Sequence, residues 1–492
     1  MKKHLNLLLY ATTLLIATSV SAKVSLPTHF TNNMVLQQNR TLTIKGTASL
    51  RSTVTLTTGW GEEVSAEADW QGNFTLQVQT PKASNKAYTM TFDDGETTTL
   101  ENVLIGEVWL GSGQSNMEMP IEGWGKILNY KEEIKNANYP KIRLLQVKKS
   151  TSLTPQEQVQ VNMGGWQECS PEHVPNFSAL CYFYAVRLWE ELNIPIGVID
   201  DDWGGTPAES WVSAETLAKV TGFEELMAKY NELGYDKEAI NAWHQESKSS
   251  WVKTTHQNHP TVLYNAMIHP LIDFPIKGVI WYQGCSNVNR SQQYKPLFQA
   301  LIHDWRRVFK QPEMPFYFVQ LANYLAPSKL QPGSQWALLR EAQADALCLP
   351  HTGMAVNIDL GDPKDIHPKT KRELGRRLSA VALNQTYGKN IAYTAPIYKG
   401  YTVVGREVHI QFDMPKGSEP LVQEYDLPGF IIQGPDLKWH VAQARTTSAD
   451  KVVVTCPDVQ YPVAVRYGWA DNPTCTLRTE SGLHVAPFRT DI

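Results

Sequence analysis

The stretch Gly111-Ser112-Gly113-Gln114-Ser115-Asn116-Met117-Glu118-Met119, preceded by the apolar run 103–110, decides how the chain is read. The apolar run has the length and composition of a buried strand. A serine set among glycines and small polar residues at a strand's end has an exposed hydroxyl and nearby backbone N–H groups. A nucleophilic serine needs both, because the oxyanion it creates must meet donors already in place. The plain alternative is a tight Gly/Ser turn between strand and helix. Three other motifs fail here: Met117 stands where a nucleophile elbow needs its second glycine, no Gly-Lys-Ser/Thr follows for a phosphate loop, and Asn116 replaces a dinucleotide-binding glycine.

Outward from this strand the pattern is α/β. Apolar segments at 196–199, 278–282, 316–320 and 353–358 alternate with helical stretches at 182–192 and 294–309. That alternation predicts a mainly parallel sheet covered by helices. A polar helical insert, 213–258, is expected as a lid or an outer flank. Residues 23–100 alternate apolar and polar residues between Gly, Asn and Asp turns, the signature of β structure, and from 396 the chain reads as strands again, either a third β domain or an extension that packs against the first. The expected division is therefore an N-terminal β domain 23–100, an α/β domain 101–395 and a C-terminal β region 396–492.

A chain of 492 residues exceeds one ordinary core. Residues 1–22 read as a secretory signal: Lys2 and Lys3, an apolar stretch 5–16, then Val20-Ser21-Ala22 for cleavage. The mature chain is expected in the periplasm or outside the cell, with no membrane span. Losing Lys2 and Lys3 takes the basic count from 45 to 43 against 49 acidic residues, a net charge of −6. With no basic run, nucleic acid is excluded as a partner, and no obligate protein partner is evident. Fifteen Trp and 20 Tyr serve either a carbohydrate-facing surface or the core. The six cysteines show no Cys-x-x-Cys or Cys/His cluster, so no metal site is expected. An oxidising compartment permits disulfides, and the sequence does not choose a pairing.

In open α/β sheets ligands bind at the carboxyl ends of strands, and four loops there carry chemistry. The first holds Ser115. The second, Trp203-Gly204-Gly205-Thr206, has adjacent glycines that let backbone N–H groups approach an oxyanion. In the third, Gln283 and Asn287 offer side-chain amides. In the fourth, His367 follows Asp359, Asp362 and Asp365. An imidazole beside a carboxylate is what takes a serine's proton.

Together these blocks resemble the sialate O-acetylesterase family, a branch of the SGNH/GDSL hydrolases. Gly113 to Met117 resembles its nucleophile block, Trp203 to Pro207 its glycine block, Gly278 to Gly284 its third block, and Asp365-Ile366-His367-Pro368 its histidine block. The likeness runs from the N-terminal β domain to Pro487-Phe488-Arg489-Thr490-Asp491. It implies a three-layer SGNH core and removal of O-acetyl groups from a sugar through an acyl-serine, without cofactor or metal. Carried over residue by residue, Ser115 is the nucleophile, His367 the base and Asp365 the third member, with Asp359, Asp362 or a backbone carbonyl as alternatives. Ser115, Gly204 or Gly205, and Gln283 would form the oxyanion hole. Gln114, Asn116 and Asn287 are candidate substrate contacts.

Two departures stand out. Cys285 occupies the place of a family glutamate, and Lys364 the place where the wider superfamily has its aspartate. Cys285 lacks a visible histidine partner and is not expected to be a nucleophile itself. The implied substrate is O-acetylated sialic acid. Alternatives are an acetylated plant polysaccharide such as xylan, a carbohydrate-binding protein whose esterase site has decayed, or acyl transfer and lipid hydrolysis by the same machinery. Arg340, Arg376 and Arg377 are of the right type to meet a sialic acid carboxylate, but in helical stretches a structural ion pair is the commoner use.

Overall fold

A computed structural model describes residues 23–247 and 254–491. The expected signal segment 1–22 and part of the insert lie outside the described residues. Six N-terminal strands, β1 (Val35–Gln37), β2 (Thr41–Thr47), β3 (Thr53–Thr58), β4 (Glu63–Glu67), β5 (Asn73–Gln79) and β6 (Ser84–Asp93), lead into one long strand, β7 (Thr97–Gly113). Strand β5 alternates exposed and buried residues throughout, the half-buried pattern its sequence predicts.

The central sheet continues with β8 (Tyr139–Gln146), β9 (Gln167–Cys169), β10 (Ile196–Asp202), β11 (Gly278–Tyr282), β12 (Phe316–Val319) and β13 (Thr352–Ala355). Its order is β13-β12-β11-β7-β10-β8-β9, parallel throughout except for β9 at the edge. All of β10 and β11 is buried, as a parallel sheet covered on both faces requires. Trp281 pairs in register with Ser112, and Trp109 with Gly278, so the two indoles point to opposite faces. Trp281 meets Phe298 and Trp305 of the helix Ser291–Val308, and Trp109 meets Tyr184 of the helix Ala179–Leu192. This is the three-layer core expected.

Strand β8 has no counterpart in the sequence reading. Arg143 interrupts its apolar run yet is 1 % exposed. Its guanidinium donates to the carbonyls of Pro140, Asn33 and Asn102, which makes burial of the charge tolerable. The insert forms the helices Ala214–Leu217, Glu224–Glu232 and Lys237–Glu246. Its start is tied to the helix Ser291–Val308, where Asp304 accepts from Ser213 and Thr216 and Arg307 pairs with Glu215.

The C-terminal region forms two four-stranded sheets. One has the order β14-β15-β19-β18, from β14 (Ile397–Val404), β15 (Glu407–Asp413), β18 (Gln443–Ser448) and β19 (Lys451–Thr455); the other is β17-β16-β20-β21, from β16 (Phe430–Gln433), β17 (Trp439–Val441), β20 (Ala464–Tyr467) and β21 (Phe488–Arg489). They enclose an apolar core of their own, which includes Ile410, Val452, Val465 and Phe488. Arg340 joins this region to the central domain. It is fully buried and donates to the carbonyls of Leu321, Ala322, Ala470 and Asp471 at 2.8–2.9 Å. Replacing it with leucine strands four carbonyls and is expected to lower stability by about 3–5 kcal/mol, read from urea unfolding.

Candidate active site

Ser115 opens a single helical turn, Ser115–Glu118, directly after β7. Gly113 makes that turn possible: it has φ +140°, and a Cβ there would lie 2.3 Å from the Tyr282 carbonyl oxygen. His367 arrives from the loop between β13 and the helix Lys371–Gln385. Its Nε2 lies 2.9 Å from Ser115 Oγ. Its Nδ1 lies 3.3 Å from Asp365 Oδ1, which also accepts the His367 backbone N–H at 2.9 Å.

The other two carboxylates of this loop are occupied. Asp359 holds Arg377 at 2.6 Å and faces His484, while Asp362 accepts the N–H groups of Lys364 and Asp365 and shapes the turn. Asp365 is therefore the carboxylate that faces the imidazole.

Asn116 links the two loops. Its Nδ2 donates to the Ile366 carbonyl at 2.9 Å, and its Oδ1 accepts from Lys371 Nζ at 2.6 Å. The Lys371 amine also lies over the Tyr282 ring, and burial lowers it to about 7. Burial likewise lowers the His367 imidazole below its ordinary 6.5, against the opposing pull of Asp365. An imidazole that serves as a general base does so in its neutral form. The acid limb of kcat/KM is therefore expected to have its midpoint below 6.5, with activity rising with pH to a plateau above it. A pH–rate profile checks this.

The expected donors are placed less simply. The Gly204 N–H is engaged by Glu118, whose Oε2 accepts it at 2.5 Å while Oε1 pairs with Lys149 at 2.6 Å. Gly204 itself borders the serine: a Cβ there would sit 3.2 Å from Ser115 Cβ. Gly205 is exposed, with φ +75°.

Gln283 does not offer its amide to this pocket. It is fully buried, and Nε2 donates to the Thr206 carbonyl at 3.1 Å and to Asn287 Oδ1 at 2.7 Å. Asn287 also accepts from Ala208 N–H and donates to Glu209. Gln114 Oε1 accepts from Gly284 N–H at 2.9 Å. Gln114, Asn116 and Asn287 are each at most 3 % exposed, so these amides tie the loops together instead of reaching outward.

The three arginines are likewise committed. Arg340 caps backbone carbonyls, Arg376 pairs with Glu373, and Arg377 grips Asp359. Burial pushes the Cys285 thiol up to about 12, far from a thiolate nucleophile. All six cysteines are free.

Glu118, Lys149, Lys371 and Trp124 were missed in the sequence. Trp124 is 51 % exposed and meets His367 edge-on at 5.0 Å. Burial also raises Asp200, Asp201 and Asp202 at the end of β10, which favours their neutral forms beside the glycine loop.

A family model described as carbohydrate esterase, sialic acid-specific acetylesterase, matches residues 238–384, a span that holds His367 but not Ser115. The sialate O-acetylesterase of Rattus norvegicus is 30% identical over 512 residues, covering 93% of this chain and 92% of its own. That of Mus musculus is 31% identical over 439 residues, covering 80% and 78%. Among solved structures, a carbohydrate acetylesterase from Xanthomonas citri superposes with a TM-score of 0.82 at 34% identity, over 95% of this chain and 99% of that one.

Proposed function

The chain belongs to the sialate O-acetylesterase family, and from that premise we propose that it removes O-acetyl groups from sugars by a serine mechanism, with O-acetylated sialic acid as substrate. The 2.9 Å contact between Ser115 Oγ and His367 Nε2 carries the reading. Ser115 attacks the acetyl carbonyl and its proton passes to Nε2, while Asp365 holds the tautomer and balances the imidazolium. The oxyanion turns to the Ser115 N–H and to the glycine loop, where Gly205 is exposed and the Gly204 N–H serves only once Glu118 releases it. His367 then returns the proton to the departing sugar oxygen, and water, activated by the same imidazole, releases acetate from the acetyl-serine.

Trp124 gives a sugar ring an apolar face beside the imidazole. On the same footing the flanking β regions are proposed to brace the esterase core, the N-terminal one sharing β7 with it across the expected boundary at 100, and the signal 1–22 to direct secretion. Among the described residues no helix is long and apolar enough to cross a membrane.

A second reading takes an acetylated neutral polysaccharide as substrate. It is favoured by the engagement of Arg340, Arg376 and Arg377, which leaves none of the three for a sialic acid carboxylate. Acetate release from 9-O-acetylated sialoglycan and acetylated xylan, side by side, separates the two. A fluorophosphonate that arrests turnover and adds its mass to the Ser115 peptide supports the serine mechanism. Full turnover in a protein that never labels overturns it.

A further inference from the structure

The two C-terminal sheets meet at a group of side chains unconnected with the esterase site. His440 lies on β17, the edge strand of one sheet, and Cys456 directly follows β19 of the other. Asp458 lies two residues further along the same turn, which the Val459 N–H closes onto the Cys456 carbonyl. A ring nitrogen of His440, Sγ of Cys456 and a carboxylate oxygen of Asp458 all lie within 4.8 Å of one another. Among the described residues none of these three donor groups is engaged in a hydrogen bond or ion pair. Cys456 is buried, His440 half-buried and Asp458 exposed, so the group opens to solvent on one side.

We infer that His440, Cys456 and Asp458 form a binding site for a thiophilic divalent cation of the zinc type, which staples the two C-terminal sheets together. The donor set decides the class of ion. Thiolate and imidazole suit zinc, whereas calcium and magnesium take oxygen ligands. Tetrahedral bonds of about 2.0–2.3 Å put neighbouring ligand atoms about 3.5 Å apart, so a small rotamer shift closes the present spacing. Water fills the remaining position on the Asp458 side. Binding exchanges the Cys456 thiol proton for the metal ion, so one proton leaves as the sulfur–metal bond forms.

The mechanical logic lies in β17. It has three residues and pairs on one side only, with β16, so little backbone bonding holds it. A ligand that binds only the folded arrangement adds its binding free energy to stability. His440 and Cys456 are neighbours through the packing of two sheets, which is why no spacing motif announces them.

Chelator-treated full-length protein titrated with Zn²⁺ by calorimetry, and with Co²⁺ by absorption, tests the site. The expected result is one equivalent bound, a thiolate-to-cobalt charge-transfer band, and a higher Tm with Zn²⁺. His440→Gln and Cys456→Ser are each expected to weaken binding at least about tenfold, with the band lost in Cys456→Ser, while p-nitrophenyl acetate turnover stays unchanged. Cys348→Ser, at an exposed thiol, serves as the control that keeps full binding. Should Cys456→Ser not fold, the half-buried edge position of His440 makes His440→Gln the deciding variant. No stoichiometric binding, or binding undiminished in His440→Gln, overturns the inference.

Discussion

Replacing Ser115 with alanine is expected to cut acetate release by about 10⁴-fold or more, with KM little changed. The proposed mechanism needs the Oγ atom for the bond that carries the acetyl group. Cys285 is the nearest rival in sequence, but burial holds its thiol near 12, so it is almost wholly protonated at neutral pH. The fold is not at stake. The side chain's hydrogen bond is to His367, whereas the loop is held by Asn116, by Gln114 and by the Gln114 N–H on the Tyr282 carbonyl. Tm and far-UV circular dichroism should therefore match the parent protein. Initial rates on p-nitrophenyl acetate and on an acetylated glycan provide the measurement. A variant that keeps a tenth of the parent rate would remove Ser115 from the role of nucleophile.

The His367→Gln variant should lose about as much, because serine and base act as one unit and losing either is nearly as costly as losing both. Glutamine fills much of the volume but accepts no proton at neutral pH. A smaller loss, about 10²-fold, is expected for Asp365→Asn. A buried orienting carboxylate is worth about 10⁴, but the Asp365 side chain is 43% exposed and lies 3.3 Å from Nδ1. Solvent weakens such a contact. Asp362→Asn should stay within a few-fold, since Asp362 shapes the turn and does not face the ring. A larger loss in Asp362→Asn than in Asp365→Asn would reverse the assignment. Double-variant rates for Ser115→Ala with His367→Gln should fall no further than either single variant.

The legible parts of the candidate site were those written in local sequence. Ser115 follows an apolar strand in a Gly/Ser run, His367 follows one in a loop dense with Asp and Pro, and the strands that present them have distinctive runs. What stayed hidden depends on packing. Glu118 is one helical turn beyond Ser115, and its hold on Gly204 becomes apparent only when β7 and β10 lie side by side. Lys371 reads as the first residue of an ordinary helix, yet it is buried against Asn116, 255 positions away.

Amides were the hardest to assign, because Gln283 and Asn287 can equally face a ligand or tie two loops. Nothing in their neighbours distinguishes these uses. Strand β8 escaped notice because Arg143 masks its apolar pattern, and the carbonyls that receive that arginine come from 33 and 102.

The expected boundary at residue 100 falls inside β7, whose first half pairs with β6 and whose second half runs between β10 and β11. One backbone therefore belongs to the accessory region and to the strand that delivers Ser115. Anyone grafting the N-terminal region onto a relative, or removing it, has to cut a strand at the centre of the catalytic sheet. A junction at the turn between β6 and β7 leaves that strand whole but strips the edge of its antiparallel partner. The two regions share one strand, and recombination that separates them at residue 100 puts a seam on the path to Ser115.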